Sequence, residues 1–510
     1  MKNLRLWQAC AAILLLVGSG LANATSIEFS TSVRSDTFAR VLFQFSDSTG
    51  NLSGNIDDNI KTQLKNATAV YDFKGEHNSQ LKLVTPADGD TLQVLVMGLG
   101  DPEKLDRADA VALGGNIAQM FTHKDVQKID VVVKGIQARL DQNVLAAHIA
   151  QGISLGSYRF NRYRQEVSAP NNDYRIIIES DKEAKRHYEK LRAIENGVFL
   201  ARDMVNTNAA EMNPVAFIDE AQKALKGLDV EIDVFSAEQI KAMNMGLLYA
   251  VGQGSAPGAR LMVAHYKGSN DKPIALVGKG ITFDTGGYNI KTHESIARMK
   301  GDMAGAAAVL GAVRTLAEQK AKVNVIAVMP LAANMVSETA LLPGDIITSM
   351  SGKSVEIINT DAEGRLIMAD AMWHVQEQYH PQILVNIATL TGSKIRAVGD
   401  RYAGLFSDDE QLIAQLSAAG EAVNEPLWRL PLAYGDMLQS TLADTTNTGS
   451  DGPGASTAAM FLKQFVQEQT RWAHLDIAGN ESVTKTKNEI PAGGVGYGVR
   501  LLVEWLSTLQ

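Results

Sequence analysis

Short apolar runs alternate with polar stretches through the first third of the chain. Leu92-Gln93-Val94-Leu95-Val96-Met97, closed by Gly98-Leu99-Gly100, reads as a buried strand entering a turn. Ile129-Asp130-Val131-Val132-Val133 and Tyr174-Arg175-Ile176-Ile177-Ile178 read as two more strands. The period then changes. Ala184, Tyr188, Leu191, Ile194, Val198 and Ala201 recur at three- and four-residue intervals, which predicts one long helix over 181–205. It follows the polar stretch Ala169-Pro170-Asn171-Asn172-Asp173, so the connection between two domains belongs there.

Beyond that helix, strands over 274–277, 323–328, 355–358 and 383–387 alternate with helices over 303–318 and 364–378. This is the pattern of an α/β domain. The expected organisation is a smaller N-terminal α/β domain at 25–180, the linking helix at 181–205, and a C-terminal α/β domain at 206–510. A length of 510 residues agrees with more than one core.

Residues 1–24 differ in kind. Lys2 and Arg5 make a basic start, 11–17 an apolar run, and Ala22-Asn23-Ala24 a small-residue cleavage site. The run is too short for a bilayer span of about 20 residues, so a cleaved signal peptide is expected rather than an uncleaved anchor. The mature protein would then be exported, periplasmic or secreted. The single cysteine, Cys10, lies in this leader, so no disulfide framework and no thiolate metal site is expected. A formal charge of −9 weighs against non-specific binding to nucleic acid or an anionic membrane.

Candidate chemistry collects between residues 274 and 390. Asp284, Asp302, Asp361 and Glu363 fall near the expected strand ends, where open α/β sheets bind ligands. Asp361 and Glu363 are two apart, so extended backbone would send both carboxylates to the same side. Such carboxylates repel unless a cation lies between them, which points to hard divalent ions. One acid at a helix start would be a cap; four together favour metal. Lys279 directly follows an apolar strand and is expected to be buried, losing its proton beside dications to become a neutral nitrogen ligand. Arg365, on the first turn of the next helix, can hold an anion in its forked geometry.

Other motifs fail on context. Gly152-Ile153-Ser154-Leu155-Gly156 has the spacing of a nucleophile elbow, but the preceding residues read as helix rather than strand. His293-Glu294 begins like a zinc-protease helix, yet position 297 is Ala. Gly252-Gln253-Gly254 lacks a third glycine at dinucleotide-binding spacing.

Asn359-Thr360-Asp361-Ala362-Glu363-Gly364-Arg365-Leu366 resembles the signature octapeptide of the leucine aminopeptidase (cytosol aminopeptidase, M17) metallopeptidases. Tyr158-Arg159-Phe160, Ala201-Arg202-Asp203-Met204-Val205-Asn206-Thr207, Ala388-Thr389-Leu390-Thr391-Gly392 and Trp472-Ala473-His474-Leu475-Asp476-Ile477-Ala478-Gly479 resemble further family blocks in the same order. The resemblance implies a macro-like N-terminal α/β domain and a C-terminal α/β catalytic domain whose mixed central sheet is flanked by helices. It implies two divalent ions, zinc or manganese with cobalt or magnesium as substitutes. Asp284 and Glu363 would bridge them, Asp361 would complete one site, and Lys279 with Asp302 the other. Lys291 resembles the lysine that polarises the scissile carbonyl, and Arg365 the arginine that holds bicarbonate as a proton shuttle. Met299, Ala388, Thr389, Leu390 and Gly392 would line the substrate pocket. Around Lys291 the pattern departs: Asn289 replaces the usual Ser, Thr292 the usual Pro, and His293-Glu294-Ser295 follows.

The implied function is release of N-terminal amino acids, leucine-type with a broad apolar preference, from peptides by a homohexamer. The alternatives are a two-metal phosphoesterase and a non-enzymatic DNA-binding architectural protein. Missing histidine ligands count against the first; net charge and the leader count against the second.

Overall fold

The computed structural model describes residues 25–509 apart from 47–51, 54–57, 88–89, 123–126, 166–171, 293 and 450–451. The leader with Cys10, the segment Ala169-Pro170-Asn171 and His293 therefore lie outside the described residues. No helix among the described residues is long and apolar enough to cross a membrane.

The N-terminal region carries a six-stranded sheet of β1 (Ser26–Ser30), β2 (Ala39–Phe45), β3 (Gln80–Ala87), β4 (Asp90–Gly100), β5 (Lys128–Val132) and β6 (Asp173–Ile177), in the order β1-β6-β5-β2-β4-β3. All neighbours are parallel except the β4–β3 pair. Val41, Phe43, Leu95 and Met97 pack against the helices Arg107–Met120 and Gln142–Ser157. Leu42, Val94 and Val96 face the other way, onto Ile60 and Leu64 of the helix Asp58–Val70. Both faces are covered, which is why these strands read as continuous apolar runs rather than alternating ones. The strand expected at 92–97 does not turn at Gly98 but continues to Gly100. A side chain at Gly98 would meet Glu76 O at 1.9 Å, so this glycine serves a close approach and not a chain reversal.

The rejected serine motif has a structural explanation. Gly152 lies on the helix Gln142–Ser157 where it crosses Arg107–Met120, and a Cβ there would stand 2.0 Å from Val111 O. Gly114, on the facing helix, would meet Ile149 O at 2.1 Å. The glycines let two helix backbones touch.

The linking helix, Asp181–Asn206, forms as its period predicts. The second sheet contains β7 (Glu231–Phe235), β8 (Arg260–Lys267), β9 (Ile274–Gly278), β10 (Gly280–Asp284), β11 (Asn324–Asn334), β14 (Ile383–Ala388), β15 (Ala403–Phe406), β16 (Leu427–Arg429) and β18 (Arg471–Asp476). Its order is β16-β15-β18-β14-β9-β11-β8-β7, with β10 also on β11. It is mixed: β9, β14 and β18 run parallel, while β8 and β15 are antiparallel to their inner neighbours. Leu276 and Val385 point to a core with the helices Ala304–Glu318 and Val499–Ser507. Ala275, Val277 and Leu384 point oppositely, to the helices Gly246–Gly252, Gly364–Tyr379 and Gly454–Lys463. A two-domain α/β fold with helices on both faces of a mixed second sheet is thus in place.

One expected strand belongs elsewhere. β13 (Ser354–Glu356) sits between β12 (Ile346–Thr348) and β17 (Thr445–Thr446) in a separate small sheet.

Candidate metal centre

The acidic and basic residues converge where the chain leaves the sheet. Lys279 interrupts β9 and β10: its N–H donates to Ile387 O at 3.0 Å and its C=O accepts from Ala306 N at 2.9 Å. Asp284 ends β10, Asp302 precedes the helix Ala304–Glu318, and Glu363 precedes Gly364–Tyr379. Thr389 follows β14. Strand ends and helix starts thus deliver these members, while Lys291 and Asp361 come from a loop and a turn.

Lys279 Nζ lies 2.8 Å from Asp302 Oδ2 and 2.9 Å from Glu363 Oε1, and donates to Thr389 O at 3.0 Å. Lys291 Nζ lies 2.7 Å from Asp284 Oδ2 and also pairs with Asp361. Asp284 Oδ1 accepts from Asn334 Nδ2 and Gly286 N, both at 2.8 Å. Thr389 Oγ1 donates to Asp302 Oδ1 at 2.7 Å. Glycines make this density feasible. A Cβ on Gly364 would stand 2.4 Å from Lys279 Cε, and Gly286, at φ +89°, has no room beside Asn289 O.

The electrostatics follow from burial and crowding. Burial, then Asp284, push Glu363 up to about 7, against the pull of Lys279. Asp302 rises well above the carboxylate range, chiefly through burial. Burial opposes charge on Lys279 too, but Asp302, Glu363 and Asp284 outweigh it and hold the ammonium above the usual lysine range. With these carboxylates alone for neighbours, Lys279 is a charged ammonium. Lys291 is likewise held charged, mainly by Asp284 against burial.

The donor set fits divalent ions. Asp284, Asp361 and Glu363 each present an oxygen, all within 4.8 Å of one another. Asp302 Oδ2 and Glu363 Oε2 are buried without a hydrogen bond, although Lys279 stands close to the first. Hard oxygens converging with spare acceptor capacity suit hard or borderline dications.

Several expectations need correction in detail. Asp361 and Glu363 do not alternate along extended backbone: Asp361 sits in a turn, and Glu363 is helical at φ −79°, ψ −34°. The turn still brings Asp361 beside Asp284. Arg365 is buried; its Nη1 donates to Asn447 O at 2.9 Å, and its Nε has no hydrogen-bond partner. Burial pulls Arg365 down to about 10. Thr389 is committed to Lys279 and Asp302, and Ala388 is buried at the end of β14. Leu390 and Met299 are half-buried and Gly392 is exposed.

Three asparagines were missed. Asn334, closing the apolar strand β11, bonds both Asp284 and, at 3.0 Å, Thr360 O. Asn447 fastens the octapeptide and the residue before it, through Asn359 O at 2.7 Å and Ile358 N at 2.8 Å. Asn289, noted only as a departure, accepts from Thr360 N at 2.9 Å and so ties the Lys291 loop to the Asp361 loop. A polar residue ending an otherwise apolar strand was the available signal for Asn334. Asn447 offered none.

The chain matches the cytosol aminopeptidase family, N-terminal domain, over residues 41–166 and the cytosol aminopeptidase family, catalytic domain, over 199–503. The probable cytosol aminopeptidase 1 of Shewanella oneidensis is 47% identical over 492 residues, covering 95% of this chain and 97% of the relative. The probable cytosol aminopeptidase of Rhizobium rhizogenes is 40% identical over 491 residues, covering 94% and 97%. Among solved structures, a mutant of tomato leucine aminopeptidase matches with a TM-score of 0.83 at 30% identity, over 96% of this chain and 97% of that one. The bottromycin maturation enzyme BotP in complex with Mn matches with a TM-score of 0.81 at 28% identity, over 93% and 99%.

Proposed function

The chain belongs to the cytosol aminopeptidase family and is a metal-dependent aminopeptidase acting on peptides, and from that premise we propose how its own residues divide the work. Asp284 and Glu363 would be shared between two divalent ions, with Asp361 completing one site and Lys279 with Asp302 the other. The convergence of Asp284, Asp361 and Glu363 oxygens within 4.8 Å carries this reading. Zinc or manganese is the proposed pair, with cobalt or magnesium as substitutes. When bound, the ions supply an electrophile for the scissile carbonyl and an activated water.

The protein contributes fixed charge around that chemistry. Lys291, whose Nζ stands beside Asp284 and Asp361, would neutralise charge developing on the carbonyl oxygen. Arg365 remains a cation near neutrality, and its unpartnered Nε supports a bicarbonate site there. Met299 and Leu390 offer apolar surface to the N-terminal side chain, with Ala388, Thr389 and Gly392 behind it. Assembly as a homohexamer, and export directed by residues 1–24, complete the proposal.

Metal-stripped protein reloaded with zinc, manganese, cobalt or magnesium, assayed on an aminoacyl-anilide panel, tests it. Metal-dependent anilide release, highest for apolar residues, is expected. Hydrolysis of a chromogenic phosphodiester without anilide release would overturn it.

A further inference from the structure

Lys394 is fully buried, yet among the described residues it makes no ion pair. Its ammonium donates to Gly399 O at 2.9 Å, Ala478 O at 3.0 Å and Asn480 Oδ1. All three donors are used, and all three acceptors are neutral oxygens. A positive charge held by carbonyl-type oxygens alone is the coordination chemistry of a monovalent cation. Burial pulls this lysine down to about 8, while Asp476, Glu481 and Asp400 oppose the shift from farther off.

The surroundings connect this charge to the candidate substrate wall. Thr391 caps the short helix that carries Lys394, accepting from Lys394 N at 3.1 Å, and donates its hydroxyl to Asp476 at 2.7 Å. Asp476 also accepts from Leu390 N and Ala478 N, each at 3.1 Å. Asp476 thus holds the N–H of Ala478 while Lys394 holds its C=O. These polar ties join the two walls, 389–392 and 478–480, and Thr389 passes the arrangement on to Asp302.

We propose that Lys394 is a tethered monovalent cation, a positioning residue that fixes the 390–392 wall against the 478–480 turn, and that its oxygen cage accepts free ammonium or potassium once the side chain is removed. The inference rests on reading 388–392 as a substrate wall. No bond is made or broken; the ammonium acts by holding three oxygens at one point.

The test uses the full mature chain loaded with manganese. Lys394→Ala should raise KM for a leucyl anilide on the order of 10-fold while kcat changes less than about 3-fold, since loosened binding surface and not chemistry is affected. Ammonium or potassium chloride should restore KM and raise the melting temperature of Lys394→Ala but not of the parent, with tetramethylammonium chloride as the inert control. Asn480→Leu, which keeps the ammonium but removes one acceptor, should raise KM less and ignore added ammonium. Unchanged KM in both variants, or equal response to tetramethylammonium, overturns the proposal. If Lys394→Ala does not fold without ammonium or potassium but folds with either, the cage stands; folding with neither, alongside an unaltered Asn480→Leu, overturns it. A parent enzyme that cleaves no anilide defeats the proposed function instead, and the ammonium-dependent melting shift still decides the cage.

Discussion

Around Lys279 and Lys291, the four carboxylates of Asp284, Asp302, Asp361 and Glu363 face two ammonium groups. Around Arg500 and Arg202, two glutamates face two guanidinium groups. Arg500 pairs with Glu425 at 3.3 Å and Glu489 at 3.1 Å, and Glu425 also accepts from Gly498 N and Leu501 N. Arg202 satisfies itself on the carbonyls of Val495, Leu155 and Glu489. Both clusters are largely buried. The difference is balance: one has an excess of negative charge that invites added cations, and the other closes on itself. Excess, not burial, marks the site where chemistry is expected.

The strongest way to break this contrast is Asp284→Asn. An amide cannot neutralise two dications, so both ions should be lost and activity should fall by on the order of 10³-fold or more. Elemental analysis reads the outcome; two ions retained per subunit would remove Asp284 from its bridging role. Asp361→Asn should weaken chiefly one ion.

Arg500→Met tests the balanced cluster. Leaving Glu425 and Glu489 buried without their partner should cost about 3–5 kcal/mol of stability. Metal content and KM should stay as in the parent when measured well below the melting transition. A loss of bound metal in this variant would mean that the two clusters are not separate.

Lys291→Ala should retain its ions and lower kcat by about 10²–10³-fold with a smaller change in KM, because a cation at the oxyanion acts mainly in the transition state. Lys279→Ala should differ, recovering activity as metal concentration rises. Rescue of the first and not the second would exchange the two roles.

A third, smaller case sharpens the rule. Glu195 is buried and accepts from two hydroxyls, Ser154 at 2.7 Å and Tyr188 at 3.5 Å, and burial pushes it up to about 8 against these bonds and the pull of Arg192. The folded protein therefore holds a proton there that the unfolded chain releases near its ordinary value of 4.5. The stability this contributes is full below that value and is lost as pH rises through about 8. Glu195→Gln keeps the hydrogen bonds without the titration, so its melting temperature should fall less than the parent's between roughly pH 6 and 9. Parallel curves would count against it.

The sequence carried these differences unevenly. Residues at the ends of long apolar strands, Lys279 and Asp284, were legible because period and chemistry coincide there. Asp361 and Glu363 do lie together, but for a different geometric reason, since a turn and not a strand brings them together. Asn447 came from a segment about ninety positions along the chain from the loop it fastens, and only the small sheet of β13 and β17 makes the two neighbours. The Gly152 motif shows the converse: a spacing that suggests catalysis is a helix crossing. Local period reveals elements, whereas contacts between distant loops need the fold.

Gly364 has a consequence in the currency of inheritance. Its missing methyl is the space through which the aliphatic chain of Lys279 reaches its carboxylates. A glycine codon becomes one for alanine, serine, valine, arginine or an acidic residue by a single base change, depending on its third base. Each of these would displace the lysine at the position where it meets Asp302 and Glu363, while the sheet and both cores are built from other residues. A point mutation to the smallest of these, alanine, should therefore leave a folded protein with weakened activity whose ligand residues all still read as intact.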